Sequence, residues 1–190
     1  LREKLGLPKT VYRKCLVDFG EEAIQERQAE RMTDRLVYLA LNLFERRRSL
    51  NSLPETVRRD TKAFWGSYAA ASDEAKSLLF SIGSPNLIYE ACSDASERGL
   101  GSLDSSRAFL FHSSVMHELP APLRVYLGCA ARIYGDFEQA DLVKIHIGSS
   151  KVSIMKYDDF KGRAIPLLVE RTKIRLGAAD YEVFNYGDEF

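Results

Sequence analysis

The chain has 190 residues, 45% of them hydrophobic, and its 27 basic side chains are balanced by 27 acidic ones. This length and composition fit an ordinary globular protein and argue against a disordered chain. The even charge balance also argues against a protein whose whole surface binds a polyanion.

The cysteines and the apolar runs indicate where the protein resides. Cys15, Cys92 and Cys129 lie in unrelated contexts without metal-ligand spacing, so we expect small buried thiols in a reducing compartment and no zinc. No apolar run is long enough to span a membrane, and no signal-peptide pattern opens the chain. We therefore expect a cytoplasmic protein that does not associate with membranes. The final segment, NYGDEF, lacks a terminating element, so we expect a fragment of a larger protein.

The first twenty residues predict two short helices separated by Gly6-Leu7-Pro8. The second begins at Lys9 and ends at Gly20, where a glycine C-cap fits. This pattern is typical of a helix-turn-helix, whose second helix would present Lys9, Arg13 and Lys14 to DNA. A helical hairpin that does not bind DNA gives the same pattern, and this alternative stays open.

Further helices follow up to about residue 102. A long helix over residues 21–48 has an apolar stripe, which consists of Leu36, Leu39, Ala40 and Leu43. Pro54 begins the next helix, whose exposed side is expected to carry Arg58, Arg59 and Lys62. Gly66 interrupts the pattern, and a last helix begins with Ser84 as N-cap and Pro85 in its first position.

The pattern changes at Leu103, where strands become more frequent. AFLFH predicts a strand, and the next segment predicts a helix buried through Leu123, Tyr126, Leu127 and Ala130. A β-hairpin over residues 141–157 and two strands, TKIRL and YEVFNY, complete the chain. The predicted class is α+β, with a helical part (1–102) and a part with a small antiparallel sheet (103–190), together forming one compact unit.

The hairpin ADLVKIHIGSSKVSIMKYDDF has two distinct faces. Pairing Ile147 with Val152 places the β-branched residues on one face, and a one-residue slip would bury unpaired polar groups at a cost of roughly 2 kcal/mol or more. The other face then carries the polar residues Lys144, His146, Ser153 and Tyr157. These groups can bind a phosphate-like anion and contact a sugar or base, although an ordinary half-exposed sheet face has the same composition.

Positive charge is concentrated around this hairpin. The segment from Leu142 to Leu176 contains eight Lys or Arg residues and only three Asp or Glu residues. This local excess of positive charge attracts phosphate. We expect a flanking basic rim on the hairpin, formed by Lys151, Lys156, Lys161 and Arg163. Lysines that guard strand edges are the alternative interpretation.

A nuclease or hydrolase site is a further possibility, with Lys144, His146, Asp158 and Asp159 as its residues. Adjacent residues of an extended strand point in opposite directions, so the two aspartates do not readily form a paired-carboxylate metal site. A turn beginning at Asp158 is the better interpretation.

Five blocks in order give the chain a resemblance to a known family. They are LVYLALNLF, LPETVRRDTKAFWGSY, LLFSIGSPNLIYEAC, AFLFHSSVMHELPAPLRVYLGCAARIYG and ADLVKIHIGSSKVSIMKYDDF. From about Glu30 to Ala179 the chain resembles the carboxyl-terminal region of bacterial DNA phosphorothioation-associated methyltransferases. The family's pattern falls on His112, Arg124, Tyr126, Gly128, Cys129, Lys144, His146, Ser153, Tyr157 and Phe160. The chain departs from it at GRAIP, where the family tends to have an Asp-Pro-His-Pro-like turn, and lacks the later Asn-Pro-Pro and His-Arg-Lys-rich segment.

The resemblance implies a role in DNA modification and anti-phage defence. No glycine-rich cofactor loop follows a strand in the sequence, so S-adenosylmethionine is not implied and we expect no cofactor, metal or catalytic group in this chain. We expect a noncatalytic module that positions duplex DNA through backbone contacts, with His112 and Arg124 as additional contacts. A module that binds other proteins of the modification system is the alternative.

Overall fold

The computed structural model of the protein describes residues 7–45, 49–105, 107–135, 137 and 139–187. It confirms the α+β class, with helices first and an antiparallel sheet in the carboxyl-terminal half. Contacts divide the chain into two compact units, Leu1–Leu79 and Phe80–Phe190, whereas the sequence suggested one unit with a change of character at 103. The boundary lies earlier because a helix over Pro85–Glu97 contributes to the core of the sheet unit.

The helical unit contains α1 (Lys9–Phe19), α2 (Glu21–Glu45), α3 (Glu55–Trp65) and α4 (Tyr68–Ser81), which ends just past the unit boundary. A 3-10 turn over Leu50–Ser52 precedes α3. Gly20 and Gly66 end α1 and α3 with φ values of 80° and 74°, the left-handed region that glycine adopts without strain. The predicted first helix of the helix-turn-helix and the arginines at 46–48 lie outside the described residues.

The core of the helical unit is small. Among the described residues, its buried apolar side chains are those of Val37, Leu39, Ala40, Leu53, Val57, Ala71 and Ala75, and the polar residues Asp60, Thr61 and Ser72 are buried with them. Of the predicted stripe, Leu39 and Ala40 are buried, whereas Leu36 and Leu43 are half-buried. Val37 is buried in this core as well, because the buried side of α2 is rotated relative to the predicted stripe.

A buried carboxylate joins α2 to α3, and the sequence reading missed it. Asp60 is 5% exposed. Its carboxylate accepts two hydrogen bonds from Arg31, both at 2.9 Å, and one from Arg35 at 2.7 Å. Burial acts to raise the pKa of Asp60, but the hydrogen bonds and positive charges of the two arginines outweigh burial and lower the pKa.

The sheet unit is a six-stranded antiparallel sheet in which each strand pairs with the next one along the chain. The strands are β1 (Ser102–Asp104), β2 (Ala108–His112), β3 (Leu142–His146), β4 (Lys151–Tyr157), β5 (Leu168–Arg175) and β6 (Asp180–Asn185). Two helices accompany them, α5 (Pro85–Glu97) and α6 (Ala121–Tyr134), and a 3-10 helix over Ser113–Glu118 leads from β2 to α6. The side chain of Ser84 caps α5, as predicted, by accepting a hydrogen bond from the Leu87 amide.

One face of the sheet packs against α5 and α6. The largest fully buried side chains at this contact are Phe109, Val143, Ile145, Val152 and Ile174 from the strands and Leu123 and Leu127 from α6. We call this side the core face. The predicted burial of Leu123, Tyr126, Leu127 and Ala130 is confirmed.

The hairpin of β3 and β4 has a different register from the predicted one. Val152 pairs with Ile145, not with Ile147, so the predicted pairing is wrong by two residues. The connection is Ile147–Ser150, in which Gly148 and Ser150 have φ values of 85° and 49°, and Ile147 donates its amide to the Arg107 carbonyl outside the strand. A shift of two residues preserves the face of every side chain, so the predicted division into apolar and polar faces holds.

Two smaller expectations are also resolved. Cys92 and Cys129 are buried, whereas Cys15 is only half-buried; all three are free thiols. Across the described ranges, no helix has both the length and the apolar character that crossing a membrane requires.

Candidate nucleic-acid interface

The face of the sheet opposite the core face carries the polar residues. Pleating and register place the following side chains on it: Leu110 and His112 of β2, Leu142, Lys144 and His146 of β3, Lys151, Ser153, Met155 and Tyr157 of β4, Arg171, Lys173 and Arg175 of β5, and Asp180, Glu182 and Phe184 of β6. We call it the polar face. It unites four predicted residues, Lys144, His146, Ser153 and Tyr157, with Lys151, which was predicted to flank them.

The centre of the polar face is a row that crosses three strands. Ser153 of β4 pairs with Lys144 of β3 on one side and with Lys173 of β5 on the other. Neighbouring strands are about 4.8 Å apart, so the backbones of Lys144 and Lys173 are about 10 Å apart, with the Ser153 hydroxyl between them. Flexible lysine side chains can close on an oxyanion placed over that hydroxyl.

His146 lies next to this row. Its Nε2 atom is 2.9 Å from the Ser153 hydroxyl oxygen. Ser153 is buried, with 4% of its surface exposed. Burial lowers the pKa of His146, and the positive charges of Lys144, Lys173, Lys151 and Arg171 lower it further. The imidazole is therefore held neutral by a field that favours an anion.

The cations of the polar face differ in their partners. Arg175 binds Asp180 at 2.7 Å and Glu182 at 3.5 Å, and the Arg171 guanidinium lies 4.9 Å from the centre of the Phe184 ring. For Lys144, Lys151 and Lys173, no carboxylate of the described chain comes within 4.0 Å of the Nζ atom. Three lysines of this face thus form no ion pair within the described part of the chain, although Glu182 is the cross-strand neighbour of Lys173.

Lys156 does not belong to this surface, which corrects the predicted rim. It lies on the core-face side of β4 and binds Glu170 of β5 at 2.8 Å. The hydrogen bond and charge of Glu170 raise the pKa of Lys156, against the opposing effect of burial. Because successive side chains of a strand point to opposite faces, Lys156 lies on the other face of β4 from Lys151 and Ser153.

The loop after β4 contains the other two predicted rim residues, Lys161 and Arg163. Both are exposed, and Arg163 forms an ion pair with Asp158. Asp158 also accepts hydrogen bonds from the amides of Asp159 and Leu167, both at 2.8 Å. These bonds close the loop and lower the pKa of Asp158.

The two aspartates of the nuclease alternative are therefore structural. Asp159 accepts a 2.9 Å hydrogen bond from the Gly162 amide, so each carboxylate serves the turn that the sequence indicated. Within the described part of the chain, no group of three or more His, Cys, Asp or Glu residues is arranged to hold a metal ion.

Three aromatic rings lie at the Tyr157 end of the polar face. The Phe160 ring centre is 5.4 Å from that of Tyr157 and 5.5 Å from that of His112. His112 also caps the following 3-10 helix, through the Ser114 amide at 3.2 Å. The predicted contact His112 is therefore close to the hairpin residues.

Two other groups of predicted residues lie elsewhere. Arg124 is on α6, the helix that packs on the core face, so it is not part of the polar face. Tyr126 and Cys129 of the same helix are buried core residues, and burial raises the pKa of Cys129 to about 11. Lys9, Arg13 and Lys14 are exposed on α1, in the helical unit.

Sequence reading missed Arg171, Lys173 and Arg175 as interface residues. Their spacing of two residues in ERTKIR was a usable signal, because alternate residues of a strand share a face. Which face they join depends on the pairing of β4 with β5, and a bulge between Lys156 and Tyr157 complicates that pairing.

Comparisons with protein-family models, curated proteins and solved structures yield no match for this chain.

Proposed function

We propose that this chain is a noncatalytic nucleic-acid-binding module whose polar face receives the phosphodiester backbone of duplex DNA. The observation that carries the proposal is the set of three lysines, Lys144, Lys151 and Lys173, which have no carboxylate partner among the described residues and surround a buried serine hydroxyl. Like charges gathered on one face repel each other, and this repulsion costs stability. A bound polyanion removes that cost.

The chemistry of the face suits phosphate oxygens. Lysine ammonium groups supply mobile donors and charge, and the Ser153 hydroxyl supplies a fixed polar group between two of them. His146 adds a neutral ring beside this hydroxyl. Contacts of this kind position a nucleic acid without reading its sequence.

Two further basic segments are proposed to contact DNA. Lys161 and Arg163 lie in the loop that follows Tyr157, beside the aromatic rings. Lys9, Arg13 and Lys14 offer a second basic segment on an exposed helix. Both would add electrostatic attraction within roughly a Debye length, about 10 Å at 0.1 M salt.

The biological context of the proposal rests on the family resemblance of the five sequence blocks. On that basis, the module acts in the bacterial cytoplasm in a DNA phosphorothioation-associated system of anti-phage defence, where it positions the target DNA. Other proteins of that system are further proposed partners.

A protein-binding module is the second candidate, and one observation favours it. α1 buries none of its residues, and it exposes Val17 to 85% and Phe19 to 69%. Exposed apolar side chains on a helix are typical of a surface that docks a partner. This candidate predicts that the chain's binding partner is held by α1 and not by the sheet.

A binding titration with two matched variants tests the leading proposal. We expect Lys144→Ala to weaken binding of a fluorescently labelled duplex, measured by anisotropy, for every sequence tested. Lys156→Ala removes the same charge from the other face of the same hairpin and should leave affinity nearly unchanged. Equal effects of the two variants would show that the polar face is not the binding surface, and absence of duplex binding by the wild type would favour the protein-binding candidate.

A further inference from the structure

The helical unit contains a cavity whose lining shares no residue with the proposed DNA contacts. Its volume is about 510 Å³, and it is lined by Asn51, Glu55, Arg58, Arg59, Thr61, Lys62, Gly66, Ser67 and Tyr68. These residues come from α3, the 3-10 turn before it and the start of α4. The volume lies in the range of pockets that bind small molecules.

The cavity has a positive lining. Arg58, Arg59 and Lys62 are all exposed side chains of α3. Among the described residues, no carboxylate is within 4.0 Å of their charged nitrogen atoms. Glu55 is the acidic residue of the lining, so three cations and one carboxylate leave an excess of two positive charges.

The two sides of α3 differ in whether their positive charges form ion pairs. The arginines facing Asp60 from α2, Arg31 and Arg35, are both bound by that carboxylate. Arg58 and Arg59 on the cavity side have no such partner among the described residues. Charge on the inner side of α3 is thus compensated by Asp60, whereas the positive charge on the cavity side has no carboxylate within 4.0 Å in the described chain.

Two polar features of the lining also favour an anion. Thr61 is 1% exposed, and its buried hydroxyl has no hydrogen-bond partner within the described ranges of the chain, which is an unfavourable state for a buried polar group. Ser67 directly precedes the 14-residue helix α4, and its hydroxyl oxygen accepts a hydrogen bond from the Ala70 amide. The amino-terminal end of α4 therefore borders the cavity with the positive end of its dipole.

We propose that this cavity binds the phosphomonoester group of a small ligand about the size of a mononucleotide. The dianionic phosphate matches the net charge of the lining and accepts hydrogen bonds from Arg58, Arg59 and Lys62. Thr61 belongs to the same lining, and its hydroxyl is a further donor for the ligand. The remaining volume, toward Asn51 and Glu55, receives the polar body of the ligand.

Trp65 gives a direct readout, since it is the one tryptophan of the chain and directly precedes Gly66 of the lining. Its indole Nε1 donates to Glu74 of α4 at 2.6 Å, so it joins the two helices that border the cavity. We expect titration with inorganic phosphate or adenosine 5′-monophosphate to change Trp65 fluorescence in a saturable manner. Adenosine, which lacks the phosphate, should give no saturable change.

Variants distinguish this site from general attraction to charge. The double variant Arg58→Ala with Lys62→Ala should weaken binding of both phosphates at least about tenfold, since each lost partner is a charge-assisted hydrogen-bond donor. Lys76→Ala, which removes a lysine paired with Asp73 on α4, should leave binding unchanged, as should Lys144→Ala. Circular dichroism checks that each variant folds.

Thr61→Val adds an independent check, because it keeps the shape of the side chain and removes the hydroxyl. It should weaken phosphate binding while the protein unfolds at the same or a higher urea concentration. The proposal is overturned if neither phosphate gives a saturable signal, if adenosine binds equally well, or if the Arg58 and Lys62 double variant binds like the wild type. None of these outcomes bears on DNA binding by the polar face.

Discussion

Replacing Asp60 by asparagine should destabilise the helical unit more than any other change of a single charge there. The substitution keeps the size of the side chain but removes the negative charge that Arg31 and Arg35 share. An amide cannot accept all three hydrogen bonds, so two guanidinium groups are left facing a neutral group at the contact of α2 with α3.

The magnitude follows from burial. Removing one partner of a buried ion pair costs about 3–5 kcal/mol. Asp60 has a 7% exposed side chain, but Arg31 is 46% exposed and can recover water contacts, so the lower end of that range applies. We expect a loss of about 3 kcal/mol. Asp73→Asn breaks the exposed pair with Lys76 and should cost less than about 1 kcal/mol.

Urea denaturation followed by Trp65 fluorescence measures this loss in the helical unit. The pKa of Asp60 is lowered in the folded protein, so its stabilisation is complete above the unfolded pKa of about 4 and is lost as the pH falls through the folded value. The urea midpoints of wild type and Asp60→Asn should differ at pH 7 and converge as the pH falls below the lowered pKa of Asp60. Equal midpoints for Asp60→Asn and Asp73→Asn at pH 7 would show that the charge of Asp60 does not stabilise the contact of α2 with α3.

Three further changes test other parts of the account. Leu127→Ala should cost about 2–5 kcal/mol in thermal unfolding followed by circular dichroism, and a near-neutral result would mean that α6 does not cover the sheet. Gly101→Ala should cost about 1–3 kcal/mol, because its Cβ would lie 2.6 Å from the Leu110 carbonyl oxygen, whereas Gly177→Ala meets no atom within 4 Å and should melt like the wild type. Changing Arg13 and Lys14 together to alanine should weaken duplex binding without lowering the melting temperature, and unchanged anisotropy would remove α1 from the interface.

Local patterns predicted the elements of this fold well. The Ser84-Pro85 helix start, the AFLFH strand and the buried side of α6 are all signalled by residues within a few positions of one another. The short strand β1 was missed, because three residues carry too little pattern and its conformation depends on pairing with β2. The division of the chain into units also depends on contacts between residues far apart in sequence, because it is decided by the core against which α5 packs.

The candidate interface was predicted only in part, because local patterns place residues within one hairpin but not residues of the neighbouring strand. Alternation within one hairpin placed Lys144, His146 and Ser153 on one face, and an error of two residues in register left that placement intact. Lys156 was misplaced because it was assigned to the rim by proximity in sequence, without regard to the pleat. Lys173 required knowledge of the neighbouring strand, and the Asp60 cluster required two helices whose contact the sequence does not display.

The salt dependence of duplex binding shows whether the polar face binds a nucleic-acid backbone. Each phosphate neutralised by a lysine contributes about 0.9 to the slope of log affinity against log salt concentration. With Lys144, Lys151 and Lys173 all engaged, the wild-type slope should be about −3 or steeper. The double variant Lys144→Ala with Lys173→Ala should make the slope shallower by about two, and Lys156→Ala should leave it unchanged. A wild-type slope near zero, or one that the double variant does not alter, would contradict the assignment of the polar face to a nucleic-acid backbone.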